Sequence, residues 1–179
     1  MGAGESLLLP GGWIHAVSTP ADSLVIGGNF LHSFNLVQQV RVHQLEQRAG
    51  VAARFQYPFF SAVHWYVLDW YLQRLDRLDR GHAAGAEAAA APTWPPWCAK
   101  LWPAETDALP ALYDYLHGQL ADAARQLVRD PHTPLELPFS LVDAHQRLTR
   151  LGAWLARRAA AAATTALQTN EVTTNGATC

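Results

Sequence analysis

Two apolar runs separated by a three-residue break constrain the first part of this chain more than any other feature. The run Leu7–Leu9 stops at Pro10-Gly11-Gly12, and a second run, Trp13–Val17, begins directly after it. Proline followed by two glycines favours a tight turn, so the pattern predicts two strands joined by that turn. A third run, residues 23–26, ends at Gly27-Gly28-Asn29. The sequence therefore predicts three short strands of an all-β barrel or jelly roll.

The same residues carry a resemblance to a known family. Residues 4–35 read GESLLLPGGWIHAVSTPADSLVIGGNFLHSFN. This segment is similar to the closing part of the JmjC domain of histone lysine demethylases, in particular those that also carry PHD fingers, F-boxes and leucine-rich repeats. Gly11 stands where the family usually has threonine. The helices that follow, to about Arg158, resemble the helical extension of the family more loosely.

The resemblance implies an α+β fold in which residues 1–32 are the C-terminal strands of a JmjC domain, a partial double-stranded β-helix. Residues 33–163 would form a mostly α-helical extension. Apolar spacing and capping residues predict four helices there, at about 34–49, 58–79, 110–128 and 139–163. A low-complexity linker rich in tryptophan and proline is expected near 81–103, and a polar, disordered tail at 164–179.

The resemblance also implies the chemistry. His15 would be the last of three iron ligands in an Fe(II)- and 2-oxoglutarate-dependent dioxygenase, a class that holds iron with two histidines and one carboxylate. Such an enzyme hydroxylates the N-methyl group of a methyl-lysine in a histone tail, and the product collapses to lysine and formaldehyde. Asn29 is the candidate cofactor-binding residue and Trp13 a candidate pocket residue. A nuclear location is implied.

The other ligands of such a site are missing from the sequence. No histidine is followed two residues later by aspartate or glutamate, and the only lysine, Lys100, lies in the linker. We therefore expect the second half of a catalytic domain, a fragment that is inactive alone. The alternative for His15 is an ordinary hydrogen-bonded core residue. The alternative for the whole chain is a truncated, non-catalytic protein whose helices form a chromatin-associated interaction module, with His15 as a relic. An in-frame His-x-Asp or His-x-Glu pair upstream of Met1 in the genomic DNA would favour the enzyme.

Three further groups of residues allow two interpretations each. His32 and His43 are expected to be capping or surface histidines rather than metal ligands, since no carboxylate lies at ligand spacing. The many aromatic residues of the second helix could form a cage for methyl-lysine, but their helical spacing favours core packing. Four arginines of the last helix could contact DNA phosphate, although a solvated helix face is the preferred interpretation: Arg147, Arg150, Arg157 and Arg158.

Charge and composition narrow the classes of partner. The 13 Lys and Arg residues against 15 Asp and Glu give a net charge of −2, so no global attraction to nucleic acid follows. No apolar run approaches the roughly 20 residues of a membrane span, and no membrane partner is expected. The two cysteines, Cys98 and Cys179, cannot form a Cys-x-x-Cys site and are expected to be free thiols.

Overall fold

The chain divides into two units, which are described separately. The computed structural model describes residues 2–84, 101–132, 134 and 137–175. The first unit is Met1–Pro58 and the second is Phe59–Cys179. The first contains one α-helix, α1 (Leu36–Arg48), with short 3-10 turns at Ser33–Asn35 and Ala53–Phe55. The second contains α2 (Phe60–Ala84), α3 (Pro103–Arg129) and α4 (Leu141–Asn175).

The predicted β-helix is wrong for the structure as described. Within the described residues there is no strand, and the fold class is mostly α-helical rather than α+β. The predicted turn does form, with the Trp13 N–H 3.4 Å from the Pro10 carbonyl and Gly12 at φ 83°. The flanking runs find no partner strand, and Leu8, Ile14 and Ile26 are 79%, 103% and 94% exposed. Three short strands without a covered face are marginal in water, because a strand gains its hydrogen bonds and burial only from neighbours.

Helix α1 ends in a Schellman motif. Gly50 lies just beyond the helix at φ 64°, a conformation that costs glycine little. Its N–H donates to the Gln47 carbonyl at 3.2 Å, and the Val51 N–H donates to the Glu46 carbonyl at 3.0 Å. These bonds satisfy carbonyls that the helix end would otherwise leave without a partner. The predicted end of this helix at Gly50 is confirmed to within two residues.

Helices α2, α3 and α4 pack around one apolar core. Helix α2 contributes Trp65 and Tyr71, which have no exposed surface. Helices α3 and α4 contribute Leu112 and Leu151, which are equally buried. Ser61 and Arg74 of α2 contact Tyr115 and Glu105 of α3, so the two helices are antiparallel. Asp69 and Asp79 of α2 contact Arg147 and Arg157 of α4, so α2 and α4 are parallel.

All four predicted helices are present, with different bounds for α2, α3 and α4. Helix α2 continues past the predicted end at about residue 79, into the start of the predicted linker, and ends at Ala84. Helix α3 begins at Pro103, seven residues before the predicted start, because proline is tolerated at the first helical position. The side chain of Glu105 caps this end by accepting the Trp102 N–H at 2.9 Å. Helix α4 continues past Ala163, where the tail was predicted, to Asn175. The alanines at 159–163 are the strongest helix formers and favour this continuation.

Parts of the predicted linker and tail lie outside the described residues. These parts are 85–100, with Cys98 and Lys100, and 176–179, with Cys179. Among the helices that the structure describes, none has the length and apolar character to cross a membrane.

Candidate functional site

His15 lies in the first unit, in an exposed segment without helix or strand. Its Nδ1 is 3.0 Å from the carbonyl oxygen of Trp13. If Nδ1 carries the proton and donates it to this carbonyl, Nε2 keeps a lone pair directed elsewhere. Histidines that bind metals usually make such a second hydrogen bond, which fixes the ring and its tautomer. The geometry at His15 is therefore compatible with a ligand, while the exposure argues against the alternative of a buried core histidine.

The described residues do not complete a metal site around His15. Over residues 2–84, 101–132, 134 and 137–175, no cluster of three or more His, Cys, Asp or Glu side chains could hold a metal ion. Trp13 is 66% exposed and Asn29 is exposed too. The hydrogen bond that His15 makes is with the Trp13 carbonyl. One imidazole is too few donors for Fe(II), whose oxygenase sites use three protein ligands. This donor set does not fit an iron centre by itself.

The other two candidate histidines have local partners. The ring of His32 lies 6.1 Å from Phe30 and 6.4 Å from Phe34, centroid to centroid. His43 is buried on α1, and its Nδ1 is 3.9 Å from Glu46. Burial lowers the pKa of His43, and the nearby Glu46 carboxylate opposes part of that effect.

Most aromatic side chains of α2 support the packing interpretation. Phe60, Trp65 and Tyr71 are buried in the bundle core, where a methyl-lysine could not reach them. Tyr66 is exposed and meets Phe139 edge to face at 5.4 Å. The cation over Phe139 is the chain's own Arg147, whose guanidinium carbon lies 3.9 Å from the ring centroid. The face of Phe139 is thus occupied by a side chain of α4.

A polar network that the sequence analysis missed crosses the α2–α3 interface. The Gln119 side-chain amide donates to Ser61 Oγ at 2.6 Å and to Tyr115 Oη at 2.7 Å. The Gln119 carbonyl oxygen accepts the indole N–H of Trp65 at 3.1 Å. Burial raises the pKa of Tyr115, and its hydrogen bond with Ser61 offsets part of the rise. The network satisfies polar groups that would be costly to bury without partners.

The four arginines of α4 are all paired with aspartates. Arg147, Arg150 and Arg157 contact Asp69, Asp76 and Asp79 of α2 at 3.0, 2.6 and 3.1 Å. Arg158 contacts Asp107 of α3 at 3.1 Å. Because each guanidinium already faces a carboxylate, contact with DNA phosphate would require breaking these pairs. The structure therefore favours the helix-face interpretation over DNA binding.

A buried ion pair lies where the sequence is typical of a solvated helix face. Arginine, aspartate and leucine alternate from Arg74 to Arg80, which predicts an exposed face. This prediction is wrong for Arg74, which is buried and lies 3.3 Å from Glu105. The guanidinium also lies over the Trp70 ring at 4.3 Å. The partner Glu105 is 31 residues away, beyond the linker, and no local pattern identifies it.

Comparison with known families finds a match in the first part of the helical region. Residues 34–89 match the family model described as the Jumonji helical domain. The match covers α1 and α2 as far as the structure describes them, and it overlaps the segment that carried the resemblance in the sequence.

Similar curated proteins bear the names of histone demethylases. The chain is 52% identical over 69 residues to lysine-specific demethylase 2A of Xenopus tropicalis, which is 38% of this chain and 6% of that protein. It is 49% identical over 76 residues to JmjC domain-containing histone demethylation protein 1 of Cryptococcus neoformans, 42% of this chain and 9% of that protein. Lysine-specific demethylase 7A of Danio rerio is 45% identical over 75 residues, with shares of 42% and 9%.

These comparisons confirm the resemblance to JmjC-domain histone lysine demethylases. The similarity is limited to a short region, because the matched part spans only 5–9% of the length of the similar demethylases. No solved structure matches the chain.

Proposed function

We propose that this chain is a part of a JmjC-type histone lysine demethylase. The premise is that residues 34–89 carry the sequence of a Jumonji helical domain. The complete protein would be an Fe(II)- and 2-oxoglutarate-dependent dioxygenase acting on a methyl-lysine in a histone tail, in the nucleus. The observation that carries the proposal is the family match, which begins at the end of the Gly4–Asn35 motif. Sequence identity to proteins named as lysine demethylases supports it.

In this proposal the α2–α3–α4 bundle has a structural role. The arginines on α4 are paired with aspartates, and the polar side chains around Gln119 are hydrogen-bonded to one another. Groups engaged in this way stabilise a helix arrangement and are not available to bind a substrate. The bundle therefore supports the function by holding a rigid surface rather than by supplying reacting groups.

His15 is proposed as the one iron ligand that this chain contributes. The hydrogen-bonding position of its Nδ1 against the Trp13 carbonyl supports this role, since it leaves Nε2 for a metal. Asn29 is proposed to lie near 2-oxoglutarate, on the strength of its place at the end of the third apolar run. The remaining ligands and a basic group for the co-substrate would have to come from other residues of a complete enzyme.

The test joins residues 1–179 behind the first half of a JmjC catalytic domain and measures succinate formed from 2-oxoglutarate with a methylated histone peptide. His15→Ala should abolish Fe(II)-dependent turnover, because two ligands hold iron much more weakly than three. His32→Ala is the matched control, an exposed histidine in the same unit, and should keep turnover. Circular dichroism checks that both variants keep their helices. Full turnover in the His15→Ala variant would remove His15 from the ligand set.

The second candidate function is a non-catalytic interaction module, which the helical content of the described chain favours. The 179-residue chain alone, supplied with Fe(II), ascorbate and 2-oxoglutarate, should form no succinate above background while it keeps a helical spectrum. Succinate that rises with protein concentration and disappears in the His15→Ala variant would show a complete site in the chain. That result would contradict the non-catalytic candidate and the proposal that other residues supply the remaining ligands.

A further inference from the structure

Helix α1 has apolar side chains on the side that faces solvent. We define its outward face by five residues, Phe34 in the preceding turn and Val37, Arg41, Leu45 and Arg48 in the helix. Phe34, Val37 and Leu45 are 56%, 44% and 52% exposed, and both arginines are exposed as well. Apolar residues at helical spacing usually face a core, so the exposed position of Val37 and Leu45 is a finding of the structure.

The spacing of these residues defines a single face. They follow one another at intervals of three, four, four and three positions, which is the repeat of one side of an α-helix. The buried residues Leu36, Val40 and His43 point in the opposite direction. A surface helix normally carries polar side chains on its solvent side and a single apolar stripe toward the core. Helix α1 has the buried residues on one side and, in addition, the exposed apolar residues Val37 and Leu45 on its outward face.

The outward face is also positively charged. No ion pair joins Arg41 or Arg48 to a carboxylate in the described part of the chain. The acidic residue of α1, Glu46, lies on another side, 3.9 Å from His43. The Nε of Arg48 donates to the Gln44 carbonyl at 3.3 Å, which holds the guanidinium along the helix. This contrasts with α4, whose four arginines are all neutralised by aspartates.

We propose that the outward face of α1 binds an acidic, amphipathic segment of a partner protein. Apolar side chains of the segment would cover Val37, Leu45 and Phe34, and its carboxylates would meet Arg41 and Arg48. This mode of recognition uses apolar anchors at helical spacing for affinity and complementary charge for selectivity. It rests on the exposed side chains of α1 and is independent of the proposed demethylase function.

Two other occupants fit the face less well. A second copy of the chain would set Arg41 and Arg48 against the same arginines, and like charges across an interface are unfavourable. Nucleic acid binding depends on many phosphate contacts, and two arginines supply few. Phosphate would also leave the three apolar side chains uncovered. The alternation of apolar and basic residues favours a peptide of opposite charge.

The experiment titrates the full chain with a designed peptide of about 18 residues, long enough to form a helix. One peptide carries leucines on one face flanked by glutamates, and its twin carries lysines in place of the glutamates. Fluorescence anisotropy of labelled peptides gives Kd, and amide chemical shifts locate the contact on α1. The glutamate peptide should bind and the lysine peptide should bind at least about tenfold more weakly, the equivalent of two modest ion pairs.

Charge reversal gives the decisive comparison. Arg41→Glu/Arg48→Glu should reverse the preference, so that the lysine peptide binds better. Arg54→Glu is the matched control, because Arg54 is an exposed arginine of the same unit outside α1, and it should leave the preference unchanged. Val37→Ser/Leu45→Ser should weaken both peptides, which separates an apolar contact from attraction by charge alone.

Four results would overturn the proposal. The first is that the glutamate peptide does not bind at millimolar concentration, and the second is that it binds with a preference unaffected by charge reversal. The third is tighter binding of a duplex DNA that depends on both arginines. The fourth is a dimer in sedimentation experiments that dissociates with Val37→Ser/Leu45→Ser, which would assign the face to a second copy.

Discussion

Replacing Glu105 should destabilise the bundle more than any surface ion pair does. The side chains of Arg74 and Glu105 are 8% and 3% exposed, and their charged atoms are 3.3 Å apart. Removing one partner of a buried ion pair typically costs about 3–5 kcal/mol, because the other charge stays in a poorly solvated place. Glu105 also accepts the Trp102 N–H at the start of α3, a capping bond of about 1 kcal/mol. Glu105→Ala should therefore lower the free energy of unfolding by about 4–6 kcal/mol.

Glu105→Gln separates the two contributions. Glutamine can still accept the Trp102 N–H, but it presents no charge to Arg74, so its cost should be about 1.5–3 kcal/mol. Urea titration followed by circular dichroism at 222 nm measures both variants. Asp122→Ala is the control, since its pair with Arg125 is exposed on both sides, 74% and 64%, and its loss should cost less than about 1 kcal/mol. A Glu105→Ala cost no larger than that of Asp122→Ala would refute the reasoning.

Two further predictions concern His43 and Leu151. The pKa of His43 is lowered below 6.5 by burial in the folded chain, so the unfolded chain binds more protons as the pH falls below 6.5. Protection of α1 amides in hydrogen exchange should hold above pH 6.5 and fall as the pH drops toward the folded pKa. His43→Gln should remove that dependence, and an unchanged profile would exclude His43 as the cause. Leu151→Ala should cost about 2–5 kcal/mol in urea unfolding because it opens a cavity in the core. Val142→Ala, at a residue that is 66% exposed, should cost far less, and equal costs would contradict the packing described.

The helices were predictable because their signals are local. Gly50 marks the end of α1, and Pro58 marks the approach to α2, so the sequence predicts both bounds closely. The start of α3 was predicted seven residues too late because of Pro103. A proline in a proline-rich segment usually indicates the absence of a helix, but Pro103 occupies the first position of α3. The prediction of strands was wrong because strand formation does not depend on local signals alone. Apolar runs indicate that a segment can pair, but the pairing depends on partners that the segment itself does not specify.

Contacts between distant residues could not be predicted. The family resemblance identified the demethylase family from residues 4–35, but the spacing of residues 74 and 105 gives no sign that they form an ion pair. Likewise, nothing in the sequence distinguishes Gln119 from the other polar residues of α3. In the structure its side chain is hydrogen-bonded to Ser61, Trp65 and Tyr115. The place of His15 in a metal site stays a prediction.

The aspartate–arginine pairs between α2 and α4 favour one lengthwise position of α4 along α2, in addition to contributing to stability. The aspartates at 69, 76 and 79 follow intervals of seven and three residues, whereas the arginines at 147, 150 and 157 follow three and seven. With three charges on each helix, sliding α4 by one turn in either direction leaves at least one carboxylate facing no guanidinium. Exposed pairs such as Arg157–Asp79 add little to stability, but mismatched charges disfavour the wrong alignment. The paired residues are 74 or 78 positions apart along the chain, and their charges thus favour a single alignment of the two parallel helices.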